Sequence, residues 1–162
     1  MLTAKTGNSW DAAAVEQVIH GQKSVPGAML PILHEIQDLV GYIPAEAVPV
    51  IADALNVSRA EVHGVVSYYQ HFRQHPAGTH VVQICRAEAC QSRGANALVE
   101  HARQALGCDF HQTTRDGNFT LEPVYCLGLC AVGPNMAIGG DLHARVTPQR
   151  FSALIDAARG GK

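Results

Sequence analysis

The sequence predicts an α+β or α/β protein in which an N-terminal four-helix subdomain precedes a mixed β-sheet with two covering helices. Two patterns indicate this fold: apolar residues recur at helical spacing in the first half, and short β-type runs alternate with helices in the second. With 162 residues, of which 47% are hydrophobic and 16% charged, the chain can form packed cores. The turn-rich segment 75–78 marks the boundary, so we expect domains at 1–76 and 77–162.

The first two helices are predicted from their apolar stripes and end signals. Ser9 is suited to cap the first helix, and Gly21 is expected to end it. The second helix should begin near Pro26, because proline fits the first turn of a helix, and should end at Gly41.

The third and fourth helices complete the predicted N-terminal subdomain. Pro44 should open the third helix, with Pro49 either in its first turn or bending it. Ser58 and Glu61 have the spacing of a capping box, which predicts the start of the fourth helix. The brief loops between these helices are typical of a small helical bundle.

The second domain is predicted because the spacing of apolar residues changes from a helical to a β-type pattern after the turn-rich segment. Its elements in chain order are a strand at 80–84, a helix at 93–106, a strand at 119–125, a hairpin of 136–138 and 142–146 turning at Gly139 and Gly140, and a helix from Thr147 to Ala158. The resulting order of strands and helices favours a small mixed sheet covered by two helices.

Four of the five cysteines form two close pairs, and each pair follows a predicted strand. The pairs are Cys85 with Cys90 and Cys126 with Cys130, whereas Cys108 is left over. The N-terminal residues lack the apolar core of a signal peptide, so we expect a cytoplasmic protein whose paired thiols bind a metal. Loops at neighbouring strand ends can bring four thiolates together at one centre.

Spacing alone leaves three interpretations of these cysteines open. Structural zinc favours pairs separated by two residues, and neither pair has that spacing. A [2Fe–2S] cluster has two irons that each take two thiolates, so longer loops around it are natural. The spacing therefore favours iron–sulfur over zinc and over buried structural cysteines.

Composition and missing motifs exclude several other functions. The net charge is −2 without a basic stripe, which argues against nucleic-acid binding, and no apolar run is long enough to span a membrane. The sequence contains no C-x-x-C, no dinucleotide-binding glycine motif and no phosphate-binding loop. We therefore expect no substrate chemistry in this chain alone.

Two stretches containing the cysteines, and three in the N-terminal half, resemble thioredoxin-like [2Fe–2S] ferredoxins. The former are CRAEAC at 85–90 and VYCLGLC at 124–130, and the latter are LPILHEIQ at 30–37, GYIP at 41–44 and VSRAEVHGV at 57–65. The resemblance covers roughly residues 26–158. It implies a thioredoxin-like sheet, a partner-docking helical subdomain, and one [2Fe–2S] cluster with Cys85, Cys90, Cys126 and Cys130 as ligands.

That family includes the 24 kDa-type subunit of NADH:quinone oxidoreductase, subunits of NAD-linked hydrogenases, and the gamma subunit of NAD-dependent molybdenum formate dehydrogenases. The loop CRAEACQS at 85–92 and LEPVYC at 121–126 resemble the formate dehydrogenase branch, and AVGP at 131–134 departs from the respiratory pattern. The resemblance therefore implies the gamma subunit of an NAD-dependent formate dehydrogenase, with a respiratory or NAD-linked hydrogenase subunit as the alternative.

The resemblance implies an electron-transfer subunit that exchanges single electrons with the flavin of a partner. FMN and NAD would then belong to a flavin-bearing NAD(H)-binding subunit, and the molybdenum cofactor to a molybdenum-containing catalytic subunit. The alternative from a different functional class is a non-redox binding module stabilised by structural zinc.

Overall fold

The computed structural model describes residues 11–160. The chain divides between Pro76 and Ala77 into two compact units. The first is built from four helices, and the second combines a five-stranded mixed sheet with helices. The predicted fold class, helices followed by a mixed sheet with covering helices, is confirmed.

The helical unit has its own apolar core. Its helices are α1 (Ala12–Gln22), α2 (Met29–Val40), α3 (Ala47–Leu55) and α4 (Arg59–Tyr68). Each helix contributes fully buried aliphatic side chains, among them Val15, Ile32, Leu33, Ile36, Ile51 and Val62. Burial of this apolar surface stabilises the unit.

Three predicted helix ends in this unit are wrong. Helix α3 begins at Ala47 instead of at Pro44, whose carbonyl accepts the Ala47 N–H at 3.0 Å in the turn before the helix. Helix α1 runs through Gly21 to Gln22, because a glycine with helical dihedrals near a helix end is only mildly unfavourable. Helix α2 begins at Met29 instead of near Pro26, since Gly27 has a left-handed φ of 73° that cannot belong to the helix. At the start of α1 the carboxylate of Asp11 accepts hydrogen bonds from the N–H groups of Ala13 and Ala14, whereas Ser9 lies outside the described residues.

The remaining end signals in this unit are confirmed. Gly41 ends α2 in a left-handed conformation with a φ of 93°, and Pro49 lies in the first turn of α3. At α4, the Ser58 N–H donates to the Glu61 carboxylate at 2.8 Å, and the Glu61 N–H donates to the Ser58 Oγ at 3.2 Å. These reciprocal bonds form the capping box and hold the pKa of Glu61 below its usual value.

The second unit is organised around two parallel central strands. Its elements are β1 (His80–Cys85), α5 (Glu88–Gln91), α6 (Ala95–Leu106), β2 (Gln112–Thr113), β3 (Phe119–Val124), β4 (Met136–Ile138), β5 (Asp141–His143) and α7 (Pro148–Gly160). The spatial order of strands is β2-β3-β1-β4-β5. Strands β1 and β3 run parallel, and the other neighbours pair antiparallel.

Alternate residues of the three central strands form the core beneath α6 and α7. These inward-facing side chains and their helical partners include Val82, Ile84, Leu98, Phe119, Leu121, Met136 and Phe151. Because side chains alternate across a strand, this packing fixes which face each neighbouring residue occupies.

Two predicted elements of this unit differ from the structure. The helix expected at 93–106 corresponds to α6, which begins at Ala95 because Gly94 before it has a left-handed φ of 95°, and the sequence patterns did not indicate the short helix α5 that precedes it. The strand expected at 142–146 ends at His143, since Arg145 is also left-handed with a φ of 51°. Within residues 11–160, no helix has the length and apolar character needed to cross a membrane.

The continuity of α1 through Gly21 can be tested by substitution. A Cβ added at Gly21 would have no atom within 4 Å, so Gly21→Ala should stabilise the protein by up to about 1 kcal/mol through higher helix propensity. The matched change Gly41→Ala should instead destabilise it by about 1 kcal/mol, because alanine disfavours the left-handed φ of 93° there. Denaturant unfolding followed by circular dichroism measures both, and a loss of stability in Gly21→Ala would contradict the helix end described above.

Candidate metal centre

The first cysteine pair is buried at the carboxyl end of β1. Cys85 is the last residue of the strand and is 1% exposed, and its N–H donates to the Asn135 carbonyl at 3.0 Å. The short helix α5 then carries Cys90, which is 0% exposed. Both cysteines pack with Ala95 in a small apolar cluster, so this pair is removed from solvent.

The second pair lies on an exposed loop after β3. The Cys126 and Cys130 sulfurs are 3.5 Å apart, and the Gly128 N–H donates to the Cys126 sulfur at 3.3 Å. Gly128 has a left-handed φ of 79°, a conformation that glycine adopts without strain as the loop turns back. A short 3-10 turn from Cys130 to Val132 follows the loop.

Parallel pairing of β1 with β3 brings the two loops to the same edge of the sheet. Cys85 is aligned with Val124, and the Arg86 N–H donates to the Val124 carbonyl at 2.7 Å just beyond the paired region. The two cysteine-bearing loops leave neighbouring strands at this point. The four cysteines predicted from sequence therefore lie at one end of the sheet, as two pairs.

The four thiols influence one another electrostatically. Burial raises the pKa of Cys90, and the neighbouring Cys85 thiol raises it further. The Gly128 N–H lowers the pKa of Cys126, assisted by the Cys130 thiol. The same contact with Cys126 raises the pKa of Cys130, to which Cys85 adds a smaller rise. The buried pair and the exposed pair thus lie within electrostatic range of each other.

This donor set fits a thiolate-ligated metal group. Two thiolates on one tetrahedral ion with bonds of about 2.3 Å lie about 3.8 Å apart, close to the 3.5 Å between the Cys126 and Cys130 sulfurs. The glycine at position 133 leaves room beside the Cys90 sulfur, because a Cβ there would lie only 3.2 Å from that sulfur. Two pairs of thiols match the requirement of a [2Fe–2S] cluster, in which each iron takes two thiolates.

A site for one metal ion would need at least three ligands gathered around a single point. Within residues 11–160, no group of three or more His, Cys, Asp or Glu side chains is arranged in that way.

Cys108 has different surroundings from the other four cysteines. It follows α6, is half-buried, and packs against the core beneath α6 and α7. Burial raises the pKa of its thiol, and the charge of Asp109 raises it further.

Sequence reasoning missed Asn135, which contacts both cysteine loops. Its side-chain amide donates to the Leu129 carbonyl at 2.7 Å and to the Cys90 sulfur at 3.5 Å. The only signal in the sequence is a polar residue placed between Pro134 and a short apolar strand. That signal does not identify its partners, because Cys90 is distant along the chain.

Comparison with known proteins identifies a family model that matches residues 15–159, the thioredoxin-like [2Fe–2S] ferredoxins. A subunit of the NADH-quinone oxidoreductase of Escherichia coli K12 is 34% identical over 143 residues, which cover 88% of this chain and 86% of the relative. The corresponding Pseudomonas aeruginosa protein is 31% identical over 147 residues, covering 91% and 89%. HndA, a subunit of the NADP-reducing hydrogenase of Solidesulfovibrio fructosivorans, is 32% identical over 141 residues, covering 87% and 82%.

Among solved structures, an NAD+-reducing [NiFe]-hydrogenase in the H2-reduced state has a similar fold. The TM-score is 0.68 at 24% sequence identity. The match covers 87% of this chain but only 23% of the hydrogenase chain, so the likeness concerns one part of a longer protein.

The contrast between the two pairs predicts an order of thiol modification in the metal-free, reduced protein. Iodoacetamide at neutral pH should alkylate Cys126 first, because its sulfur is exposed and its lowered pKa increases the thiolate fraction. Cys85 and Cys90 should react slowest, since both are buried.

Peptide mass spectrometry over time measures the rate at each position. Half-buried Cys108, with its raised pKa, provides an internal comparison and should react more slowly than Cys126. Alkylation of Cys90 as fast as Cys126 would contradict the burial described here.

Proposed function

This chain belongs to the thioredoxin-like [2Fe–2S] ferredoxin family, whose members bind one [2Fe–2S] cluster, and from that premise we propose that it is the electron-transfer subunit of an NAD-linked oxidoreductase complex. The observation that carries the proposal is the meeting of two cysteine loops at the shared end of β1 and β3. We assign the cluster to the two thiol pairs, with Cys85 and Cys90 as the buried ligands and Cys126 and Cys130 as the exposed ligands.

The proposed ligands have suitable hydrogen-bond donors around them. When bound, a [2Fe–2S] cluster supplies reversible one-electron chemistry. The protein must stabilise the negative charge of four thiolates, and N–H donors to sulfur do this. The Gly128 N–H serves Cys126, and the Asn135 amide serves Cys90.

The difference in exposure between the pairs supports electron exchange with another protein. The buried pair excludes water and holds one side of the site in place. The loop that carries the second pair is open, and the neighbouring Tyr125 is 61% exposed. An open loop beside the ligands lets a redox partner approach the site closely.

The relatives support a role inside a multi-subunit complex. Those compared above are named as subunits of an NADH-quinone oxidoreductase and of an NADP-reducing hydrogenase. We propose that this chain likewise works in the cytoplasm beside a flavin-bearing NAD(H)-binding subunit, which would hold FMN and NAD. The helical subdomain at 1–76 would dock that partner, and its surface includes Tyr68, which is 78% exposed.

The same relatives favour the respiratory or hydrogenase type of complex over a formate dehydrogenase. The support for a formate dehydrogenase with a molybdenum-containing subunit is the resemblance of residues 85–92 and 121–126 to that branch. Affinity purification from the native host, with metal analysis of the complex, separates these candidates. Molybdenum in stoichiometric amount would favour formate dehydrogenase, nickel a hydrogenase, and quinone reductase subunits the respiratory type.

The metal content of the purified protein tests the central proposal. Protein purified without oxygen should be brown, should contain two irons and two sulfides per chain, and should bleach on reduction by dithionite. Visible absorption with iron and sulfide analysis measures this. A colourless protein that binds one zinc tightly would instead establish the structural-zinc alternative.

The ligand assignment is tested with serine variants. Cys85→Ser, Cys90→Ser, Cys126→Ser and Cys130→Ser should each abolish the cluster or strongly alter its electron paramagnetic resonance spectrum, because serine oxygen replaces a thiolate ligand. Cys108→Ser is the matched control and should retain a normal cluster, since Cys108 packs in the other core. Equal cluster loss in the Cys108 variant would show that the assignment is wrong.

A further inference from the structure

Asn135 connects the two cysteine loops from a position just before β4. The residue is 1% exposed, and its backbone carbonyl accepts the N–H of Cys85 at 3.0 Å. Its side-chain amide donates to the Leu129 carbonyl at 2.7 Å and to the Cys90 sulfur at 3.5 Å. One side chain therefore joins the exposed loop to the buried thiol pair.

Packing alone does not explain an amide at this position. The Oδ1 atom of Asn135 is buried and has no hydrogen-bond partner among the described residues. A buried amide oxygen without a donor is unfavourable, and a leucine of similar size would avoid that penalty. The amide at this position is therefore explained by its N–H group, which donates to a backbone carbonyl and to a sulfur.

The sulfur of Cys90 depends on hydrogen-bond donors from the protein. Cys90 is 0% exposed, so water cannot stabilise negative charge on its thiolate. An N–H donor at the sulfur of a cluster ligand stabilises the more negative, reduced state relative to the oxidised state. The contact to Leu129 fixes the direction of that donor, because both bonds come from the same nitrogen.

We propose that Asn135 is a positioning residue that holds the two cysteine loops together and raises the reduction potential of the cluster through its hydrogen bond to the Cys90 sulfur. The inference rests on the proposed function, since it requires Cys90 to be a cluster ligand. It adds a residue that is neither a cysteine nor a ligand to the machinery of electron transfer.

Two substitutions in the cluster-loaded protein test this role. Asn135→Leu keeps the approximate shape of the side chain and removes its hydrogen bonds, and Asn135→Ala removes the same hydrogen bonds without adding bulk or charge. Both variants should have a more negative midpoint potential than the parent. Both should also lose iron to a chelator about 10-fold faster, the usual scale for groups that orient metal ligands.

Gln37→Leu is the matched control. Gln37 is a buried amide in the helical unit, where it donates to the His71 carbonyl and accepts the Arg73 N–H. Removing it should lower the stability of that unit and leave the midpoint potential unchanged. A spectroelectrochemical titration gives the potential, and resonance Raman bands of the iron–thiolate bonds report the loss of the hydrogen bond at sulfur.

The outcomes separate this inference from the proposed function. Absence of iron and sulfide from the parent protein would overturn the proposed function itself. A loaded parent, with Asn135 variants that match it in potential, Raman bands and cluster lifetime, would overturn only the role of Asn135. If Asn135→Leu does not fold, the Asn135→Ala variant decides, because it removes the amide without adding bulk or charge.

Discussion

The parallel pairing of β1 with β3 is the constraint on which the rest of the site depends. Two parallel neighbours end at the same edge of a sheet, so the loops that follow them meet without any long excursion of the chain. The register is set on the other side of the strand, where Val82 and Ile84 pack with residues of β3 and β4 beneath the helices. A slip of one residue would turn Ile84 out of the core and Cys85 into it. Apolar packing thus determines where the first thiol points.

In the proposed cluster site, the two thiol pairs would divide the requirements of an electron carrier between them. The buried pair, on a strand end and a short helix, lies in rigid surroundings that keep out water. The exposed pair lies on a loop that turns at Gly128 and is open to solvent. Burying all four thiolates would block close approach of a partner, and exposing all four would remove the low-dielectric support that tunes a potential. Asn135 links the two halves, since its side chain contacts Leu129 on one loop and Cys90 on the other.

Local signals in the sequence predicted local structure well. The capping box at Ser58 and the left-handed end at Gly41 depend on neighbouring residues only, and both are present. The helix end predicted at Gly21 is wrong because a glycine is compatible with either the end or the last turn of a helix, and the choice depends on packing. The short helix α5 was missed because its four residues are too few to show an apolar repeat. Asn135 could not be recognised, since its partner Cys90 is 45 positions away and only the folded sheet joins them.

In the proposed function, the choice of parent complex would depend on the surface of the chain more than on its buried site. The cysteine loops and the strands that hold them lie within one compact unit, and a similar fold covers 23% of a longer chain in an NAD+-reducing [NiFe]-hydrogenase. The exposed aromatic groups Tyr68 and Tyr125, one on each unit, have large apolar areas and polar tips of the kind that protein interfaces favour. In the proposed function, partner choice would depend on residues such as these, while the buried core and the cysteine spacing would preserve electron transfer.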